Sequence, residues 1–343
     1  MFTLLFVSTQ HTAVFSFSKK AFGLSLLEPS FSTTASACVV MESNSGRILF
    51  AKNENAHLPM ASTTKIVTAL TVLNNSNLDD IVVIPSQACG IEGSSIYLRP
   101  GEKLTIKELL YGLMLRSGND CATALALYVG GSVEHFAEMM NKTAKDLGCI
   151  DSNFVNPHGL HDENHYTSAH DLGVITCQAL QNETFSQIVS TTTVKISNDG
   201  YGYPRVLNNK NKLLGSFENA DGVKTGYTKK AGRCFVGSAT RNGMQVVIVV
   251  LNCGPMFEET AKMLDVAFEN YQKVCVVPQN KLCGVVYHEG KPTYYYASDG
   301  YNYPILPSEK LSRNIILTED KQILQVLLDG NVIKNLQLVP IKY

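Results

Sequence analysis

The sequence predicts an α+β fold: an antiparallel sheet flanked by a block of helices, followed by a small all-β domain. Three observations carry that prediction. Strand-like segments sit early (38–53) and late (220–252), and a block of helical periodicity lies between them. From about residue 275 the composition changes to short, turn-punctuated strands, with Pro278 and Asn280 near the change. The resulting division is a leader-like segment over 1–34, a larger domain over 35–273 and a small β-rich domain over 275–343.

The leader-like segment is apolar over "FTLLFVSTQHTAVF" (2–15), but Ser, Thr, Gln and His interrupt it and no Lys or Arg precedes it. A secretory signal carries a basic start, so this one is atypical or shortened; "TTASA" (33–37) offers small residues for cleavage. "CVVMESNSGRILFAKN" (38–53) reads as a hairpin turned at Asn44-Ser45-Gly46. "PMASTTKIVTAL" (59–70) opens a helix with Ala61 or Ser62 in its first turn. "IVVI" (81–84) and "SSIYL" (94–98) are strand-like. "TIKELLYGLML" (105–115) is helical, breaks at "RSGND" and resumes at "CATALALYV". "SVEHFAEMMNKTAKDLG" (132–148) is a helix with a Ser cap and a Gly stop, and "SAHDLGVITCQAL" (168–180) is another. "DGVKTGYT", "RCFVGSAT" and "MQVVIVVLN" form a meander, and "MFEETAKMLDVAFENYQ" (256–272) closes the unit as an amphipathic helix.

Composition narrows the function classes. The 343 residues are 45 % apolar and 17 % charged, enough for a sizeable core. A net charge of −1, scattered basic residues and no Trp leave no electrostatic footprint for nucleic acid. No apolar run reaches the 18 or so residues a spanning helix needs. The nine cysteines are irregularly spaced without a C-x-x-C pair, so they read as small buried hydrophobes rather than a zinc or redox motif. That many unpaired thiols would be unusual in an exported protein.

Three short elements carry the chemistry. Ser62 and Lys65 stand three apart at a helix start, which puts hydroxyl and amine on one face: a nucleophile with its own base, or a cap beside a solvated lysine. Ser117-Gly118-Asn119 falls in a helix break, and Lys224-Thr225-Gly226 falls in a strand. Singly these are weak, since S-x-x-K recurs at Ser16–Lys19 and S-x-N at Ser312–Asn314 without a useful setting. A rival cluster, His158, His161, His165 and His170 with Asp162 and Glu163, has spacings that suit zinc. It lacks H-E-x-x-H, and Pro157 and Gly159 favour a loop bordering the site instead.

In that order and those settings, the three elements are the S-x-x-K enzyme set. The chain resembles the serine D-Ala-D-Ala carboxypeptidases, the low-molecular-mass penicillin-binding proteins of the type-5 group. "ASTTKIVTAL", "LMLRSGNDCATALA", "NPHGLHDENHYTSAHDL" and "DGVKTGYTKKAGRCFVGSA" all resemble that family, over roughly 38–272, and the β-rich tail resembles its second domain. The resemblance implies a β-lactamase/transpeptidase-like catalytic domain and removal of the terminal D-Ala from peptidoglycan stem peptides through an acyl-Ser62 intermediate. It implies binding of β-lactam antibiotics, no metal and no cofactor.

In this frame Lys65 acts as base only when neutral, and burial, a helix start and a second cation at Lys224 would all disfavour its charge. Ser117 relays a proton to the leaving amine, and the amide of Asn119 holds the substrate peptide. Lys224 and Thr225 grip the terminal carboxylate, and Gly226 lets a backbone lie against the strand. The resemblance places the oxyanion hole at the N–H groups of Ser62 and Tyr227.

Class A β-lactamases release the acyl group with a glutamate written E-x-x-x-N. Glu163 and Glu183 are the only candidates outside a helix, and neither has Asn four residues on. Slow release therefore favours a carboxypeptidase. A DD-endopeptidase, a β-lactamase-like hydrolase and a non-hydrolytic sensor of muropeptides or β-lactams stand as alternatives. Such a substrate lies outside the cytoplasmic membrane, so an exported, secreted or wall-associated protein is expected. "NLQLVPIKY" has strand character rather than that of an amphipathic anchor, which implies at most peripheral membrane contact.

Overall fold

The structure is a computed structural model that describes residues 29–198, 203–288, 291–318 and 321–342. Most of the leader-like segment, residues 1–28, lies outside the described residues. Two compact units are present, one over Ser30–Phe268 and one from Glu269 onward. The first begins ahead of residue 35 because Phe31 stacks on Phe50 and the hydroxyls of Thr33 and Thr34 donate to the carboxylate of Glu259 at 2.6 and 2.7 Å.

The first unit is built on a five-stranded antiparallel sheet. Its strands are β1 (Ala37–Glu42), β2 (Ile48–Lys52), β7 (Ala220–Thr228), β8 (Gly232–Arg241) and β9 (Met244–Leu251), in the order β2-β1-β9-β8-β7. The chain enters at β1, leaves for the helices, and returns as the β7–β8–β9 meander. Val39 then faces Val249, and Val250 faces Phe235. Two-residue alternation is weak in β1 and β9 because both faces are covered.

Between hairpin and meander the helices are α1 (Lys65–Asn75), α2 (Ile106–Leu115), α3 (Asn119–Gly130), α4 (Val133–Asp146), α5 (Ala169–Leu180), α6 (Glu183–Ser190) and the short α7 (Leu213–Ser216). Their starts follow local chemistry. Thr105 and Glu108 exchange bonds as a capping box, and Ser132 and Ser168 cap α4 and α5. After α4, Gly148 takes φ 80°, the left-handed stop that only glycine adopts without strain. Helix α1 is buried from Lys65 through Val72, and so runs through the core rather than over it. Gly173 lets α5 sit on β1, where a Cβ would stand 3.0 Å from Val39. Two small ribbons complete the unit: β3 (Ile81–Val83) with β4 (Lys103–Thr105), and β5 (Thr193–Asn198) with β6 (Pro204–Asn208).

One sequence expectation fails here. Residues 94–98 are not a strand but an irregular loop wrapped on the buried carboxylate of Asp120. That carboxylate accepts from Ser95 Oγ and from the N–H groups of Ile96 and Leu98 at 2.5, 3.0 and 3.1 Å. Its ligands come from alternate positions because Tyr97 turns the chain with φ 62°. An ion pair between Arg205 and Glu102, nearly buried, backs the same loop.

The second unit continues from α8 (Met256–Asn270) and is all β. Strand β10 (Gln272–Val277) pairs with β13 (Tyr301–Ile305). Strands β11 (Lys281–His288), β12 (Lys291–Ala297), β14 (Leu311–Leu317), β15 (Gln322–Leu328) and β16 (Asn331–Lys342) form a sheet in the order β11-β12-β16-β15-β14. Tyr295, Ala297, Leu324, Val326 and Leu338 alternate inward as its core. No described helix is long and apolar enough to cross a membrane.

All nine cysteines are free, and six of them are buried. Burial pushes the thiols of Cys38, Cys149, Cys177 and Cys253 up to about 12, which keeps them protonated and unreactive. The predicted role as small hydrophobes therefore holds for most of them.

Candidate active site

The three sequence elements converge where the first turn of α1 meets the edge strand β7. Residues Ala61–Thr64 form a single 3-10 turn that runs into α1, so Ser62 precedes the α-helix and Lys65 is its first residue. Neither Ser62 nor Thr64 caps the helix with its side chain, which removes the cap reading of Ser62. The amine of Lys65 lies 3.2 Å from Ser62 Oγ. Ala61, just before the serine, has φ 49°, a left-handed backbone that costs an alanine about 1 kcal/mol or more.

Lys65 is completely buried and donates to Asn119 Oδ1 at 2.7 Å and to the carbonyl of His158 at 2.6 Å. Both partners only accept. A neutral amine has two N–H groups and one lone pair, so those two bonds leave the lone pair for the hydroxyl of Ser62. Burial, reinforced by the ammonium of Lys224, holds the Lys65 pKa well below the ordinary 10.5. A neutral base is thus the state the surroundings favour.

Asn119 starts α3, directly after the break that holds Ser117 and Gly118. Its amide is engaged at both ends, since Nδ2 donates to the carbonyl of Glu92 while Oδ1 receives Lys65. Its backbone N–H donates to the carbonyl of Ser94 at 2.7 Å. Ser117 is buried and sits at φ 64°, a second left-handed residue, two positions before the Asn119 that binds Lys65. Backbone strain of this kind gathers at sites where the surroundings over-determine it.

Strand β7 carries Lys224, Thr225, Gly226 and Tyr227. Lys224 is buried and donates to its neighbour's carbonyl, Thr225 O, at 2.9 Å. Burial, with the cation of Lys210 adding, draws its pKa to about 7. Gly226 faces the serine turn: a Cβ there would stand 3.0 Å from Met60 O and from Ser62 N. The close approach seen here is that of the chain's own backbone, which lets β7 lie against the Ser62 N–H. Tyr227 is two-thirds exposed at the rim.

Sequence reasoning missed three contributors. Lys210, in the loop after β6, donates to Ser94 Oγ at 2.8 Å and adds a third amine to the cleft. Nothing in its Asn-Lys-Asn-Lys setting marks it. His158 serves through its backbone carbonyl, which no side-chain pattern reveals. Gly159 presses on the serine turn, where a Cβ would lie 2.0 Å from Ala61 O, and its φ is 87°. Gly159→Ala meets backbone, not a movable side chain, and is expected to cost roughly 2–4 kcal/mol of stability together with most of the acylation rate. Thermal melts and penicillin labelling check this; a variant with unchanged melting and labelling would sink it.

The four histidines of the rival cluster do not converge. His158 Nδ1 accepts from Leu160 N–H, His161 meets Glu163, His165 meets Thr64 and Val155, and His170 meets Asp171. Glu163 is exposed, shared between His161 and Lys230.

Comparison with known proteins identifies the family. The model of the Peptidase_S11 family, D-alanyl-D-alanine carboxypeptidase, matches residues 25–254. The chain is 34 % identical over 298 residues to the D-alanyl-D-alanine carboxypeptidase DacF of Bacillus subtilis, covering 84 % of this chain and 76 % of that one. It is 33 % identical over 242 residues to DacB2 of Mycobacterium tuberculosis, covering 68 % and 82 %. Among solved structures, penicillin-binding protein 5 from Haemophilus influenzae superposes with a TM-score of 0.78 at 27 % identity, covering 91 % and 98 %. The sheet with its helical block and separate β unit is thus a penicillin-binding-protein fold, and the chain belongs to the serine-type D-alanyl-D-alanine carboxypeptidase family.

Proposed function

We propose that this protein removes the terminal D-Ala from peptidoglycan stem peptides ending in D-Ala-D-Ala, outside the cytoplasmic membrane, with Ser62 as nucleophile. The observation that carries the reading is the buried Lys65 amine, 3.2 Å from Ser62 Oγ and committed to two acceptors that cannot donate. Ser62 Oγ passes its proton to the Lys65 lone pair and attacks the carbonyl carbon of the penultimate D-Ala. The oxyanion forms against the N–H groups of Ser62 and Tyr227, where one such donor is worth ~2.7–4 kcal/mol. Ser117 passes the proton from Lys65 to the departing D-Ala amine. Water then passes a proton to Lys65 and attacks the acyl-Ser62 ester. As the ester bond to Oγ breaks, Lys65 returns that proton to Ser62 Oγ, releasing the shortened peptide and restoring the serine.

Strand β7 is a sheet edge, so an extended peptide can lie along it by strand addition. Lys224 and Thr225 then receive the terminal carboxylate, and the cations of Lys210 and Lys65's surroundings favour an anionic ligand. Asn119 has one N–H left for the substrate peptide and otherwise serves to hold Lys65 and the 92–94 loop. The same acceptor geometry suits β-lactams, whose ring amide and carboxylate occupy the same positions. Slow release of that acyl group is supported by Glu163, whose carboxylate is exposed and taken up by His161 and Lys230.

The test is release of free D-Ala from an N-acylated L-Lys-D-Ala-D-Ala peptide. Release that stops when the last residue is L-Ala supports the carboxypeptidase. A protein that binds penicillin yet frees no D-Ala would be a sensor, and rapid penicillin turnover would make it a β-lactamase.

A further inference from the structure

His165 is buried, 3 % exposed, and plays no part in the chemistry described above. Its two nitrogens are nevertheless committed without ambiguity. Nδ1 faces the backbone N–H of Val155 at 3.1 Å and must accept, because an amide N–H can only donate. The ring proton therefore sits on Nε2, which lies 2.9 Å from Thr64 Oγ1 and donates to it. Thr64 in turn donates its own hydroxyl to the carbonyl of Ala61 at 2.8 Å. Each donor in this chain has one acceptor, from Val155 through His165 and Thr64 to Ala61.

The chain ends on the strained residue. Ala61 holds φ 49° immediately before Ser62, and a left-handed alanine persists only where its surroundings fix it. The carbonyl of Ala61 is the group that reports that backbone's orientation, and Thr64 and Gly159 close on it from two sides. The ring packs edge-on against Phe154 with centroids 5.8 Å apart, and the backbone N–H of His165 donates to the carbonyl of Asp162 at 3.0 Å. Burial brings its pKa down to about 4, against Asp162 and with Lys65 and His161 adding, so the neutral ring is the working form.

We propose that His165 is a positioning residue for the nucleophile: through Thr64 it fixes the Ala61 carbonyl, and so the backbone that aims Ser62 Oγ at the Lys65 amine. The proposal rests on Ser62 being the nucleophile. A histidine that merely fills the core would support the melting temperature and nothing else.

The experiment measures the acylation rate constant for benzylpenicillin, its prior non-covalent binding and the melting temperature in four proteins. His165→Leu keeps the bulk and loses both bonds, and is expected to slow acylation roughly 10- to 100-fold with binding unchanged. His165→Gln offers an acceptor and a donor at about the imidazole spacing and is expected to restore the rate to within about threefold of wild type. Thr64→Val breaks the chain one step later and should slow acylation to the same degree. The double variant should be no slower than either single one, because both cut one path. A wild-type rate in His165→Leu overturns the proposal, as do losses that multiply in the double variant. If His165→Leu does not fold, Thr64→Val and His165→Gln decide alone: a wild-type rate in the first, or no recovery in the second, overturns it. Failure of the unaltered protein to acylate at Ser62 would instead overturn the catalytic reading beneath it.

Discussion

Incubated with benzylpenicillin, the protein should gain one covalent penicilloyl group, mapped to the peptide holding Ser62 and absent in Ser62→Ala. The expected loss is large, roughly 10⁴-fold or more in acylation rate, because nucleophile and base act as one unit and removing either removes both. Lys65→Arg is the sharper variant. It keeps N–H donors for Asn119 and the His158 carbonyl, yet it is a permanent cation, because a guanidinium does not give up its proton at working pH. Acylation should therefore fall about as far as in Ser62→Ala although a basic side chain occupies the position. If Lys65→Arg acylates at near the wild-type rate, Lys65 acts by charge and not as a base. If Ser62→Ala is still labelled, the nucleophile lies elsewhere.

The second large effect is on pH dependence. In the proposed role Lys224 must be protonated to receive a carboxylate, and in the free protein burial draws its pKa to about 7. Its active fraction is full below that value and falls as pH rises through it. Lys65 works in the opposite sense: it must be neutral, and its activity falls as pH drops through its own depressed pKa. The profile of kcat/KM, which reports the free enzyme, should thus be a bell whose alkaline limb begins near 7. The kcat profile reports the complex, where a bound carboxylate stabilises the ammonium, so its alkaline limb should lie higher. Lys224→Arg should remove that limb from kcat/KM at whatever rate remains. A kcat/KM flat from pH 7 to beyond pH 9 would refute the assignment.

The same lysine makes a stability prediction of opposite sign to its catalytic worth. Below about 7 the folded protein carries a buried ammonium, and the unfolded chain a solvated one. Between that value and the ordinary 10.5 the unfolded chain binds more protons, so stability rises with pH across this window. Lys224→Met should therefore melt higher than wild type at pH 6, with the gap narrowing toward pH 10, while activity is lost.

Much of the fold is legible locally. The Thr105–Glu108 capping box, the Ser132 and Ser168 caps and the left-handed Gly148 each act within one turn of chain, so the helices they bound can be read directly. The meander is equally plain, because three consecutive hairpin strands need no distant partner to set their register. Residues 94–98 mislead for the complementary reason. Their composition suits a strand, but the carboxylate of Asp120 draws their N–H groups into a loop, and that partner comes from another element. Gly226 is also a packing position, since a Cβ there would meet the serine turn, and that neighbour too comes from another element.

The candidate site divides along the same line. Residue types and their local settings determine that a serine and a lysine share one face, that Ser117 and Asn119 occupy a break, and that Lys224 stands on a strand. Local sequence does not determine the protonation state on which the chemistry turns. The pKa of Lys65 is depressed because folding strips its water and sets Lys224 beside it. Asn119 and the His158 carbonyl take two N–H bonds, so that the lone pair of the neutral amine is left for Ser62. Each of those partners arrives from a different part of the chain. A lysine's charge is a balance of hydration against neighbouring charges, and only the tertiary structure supplies either term.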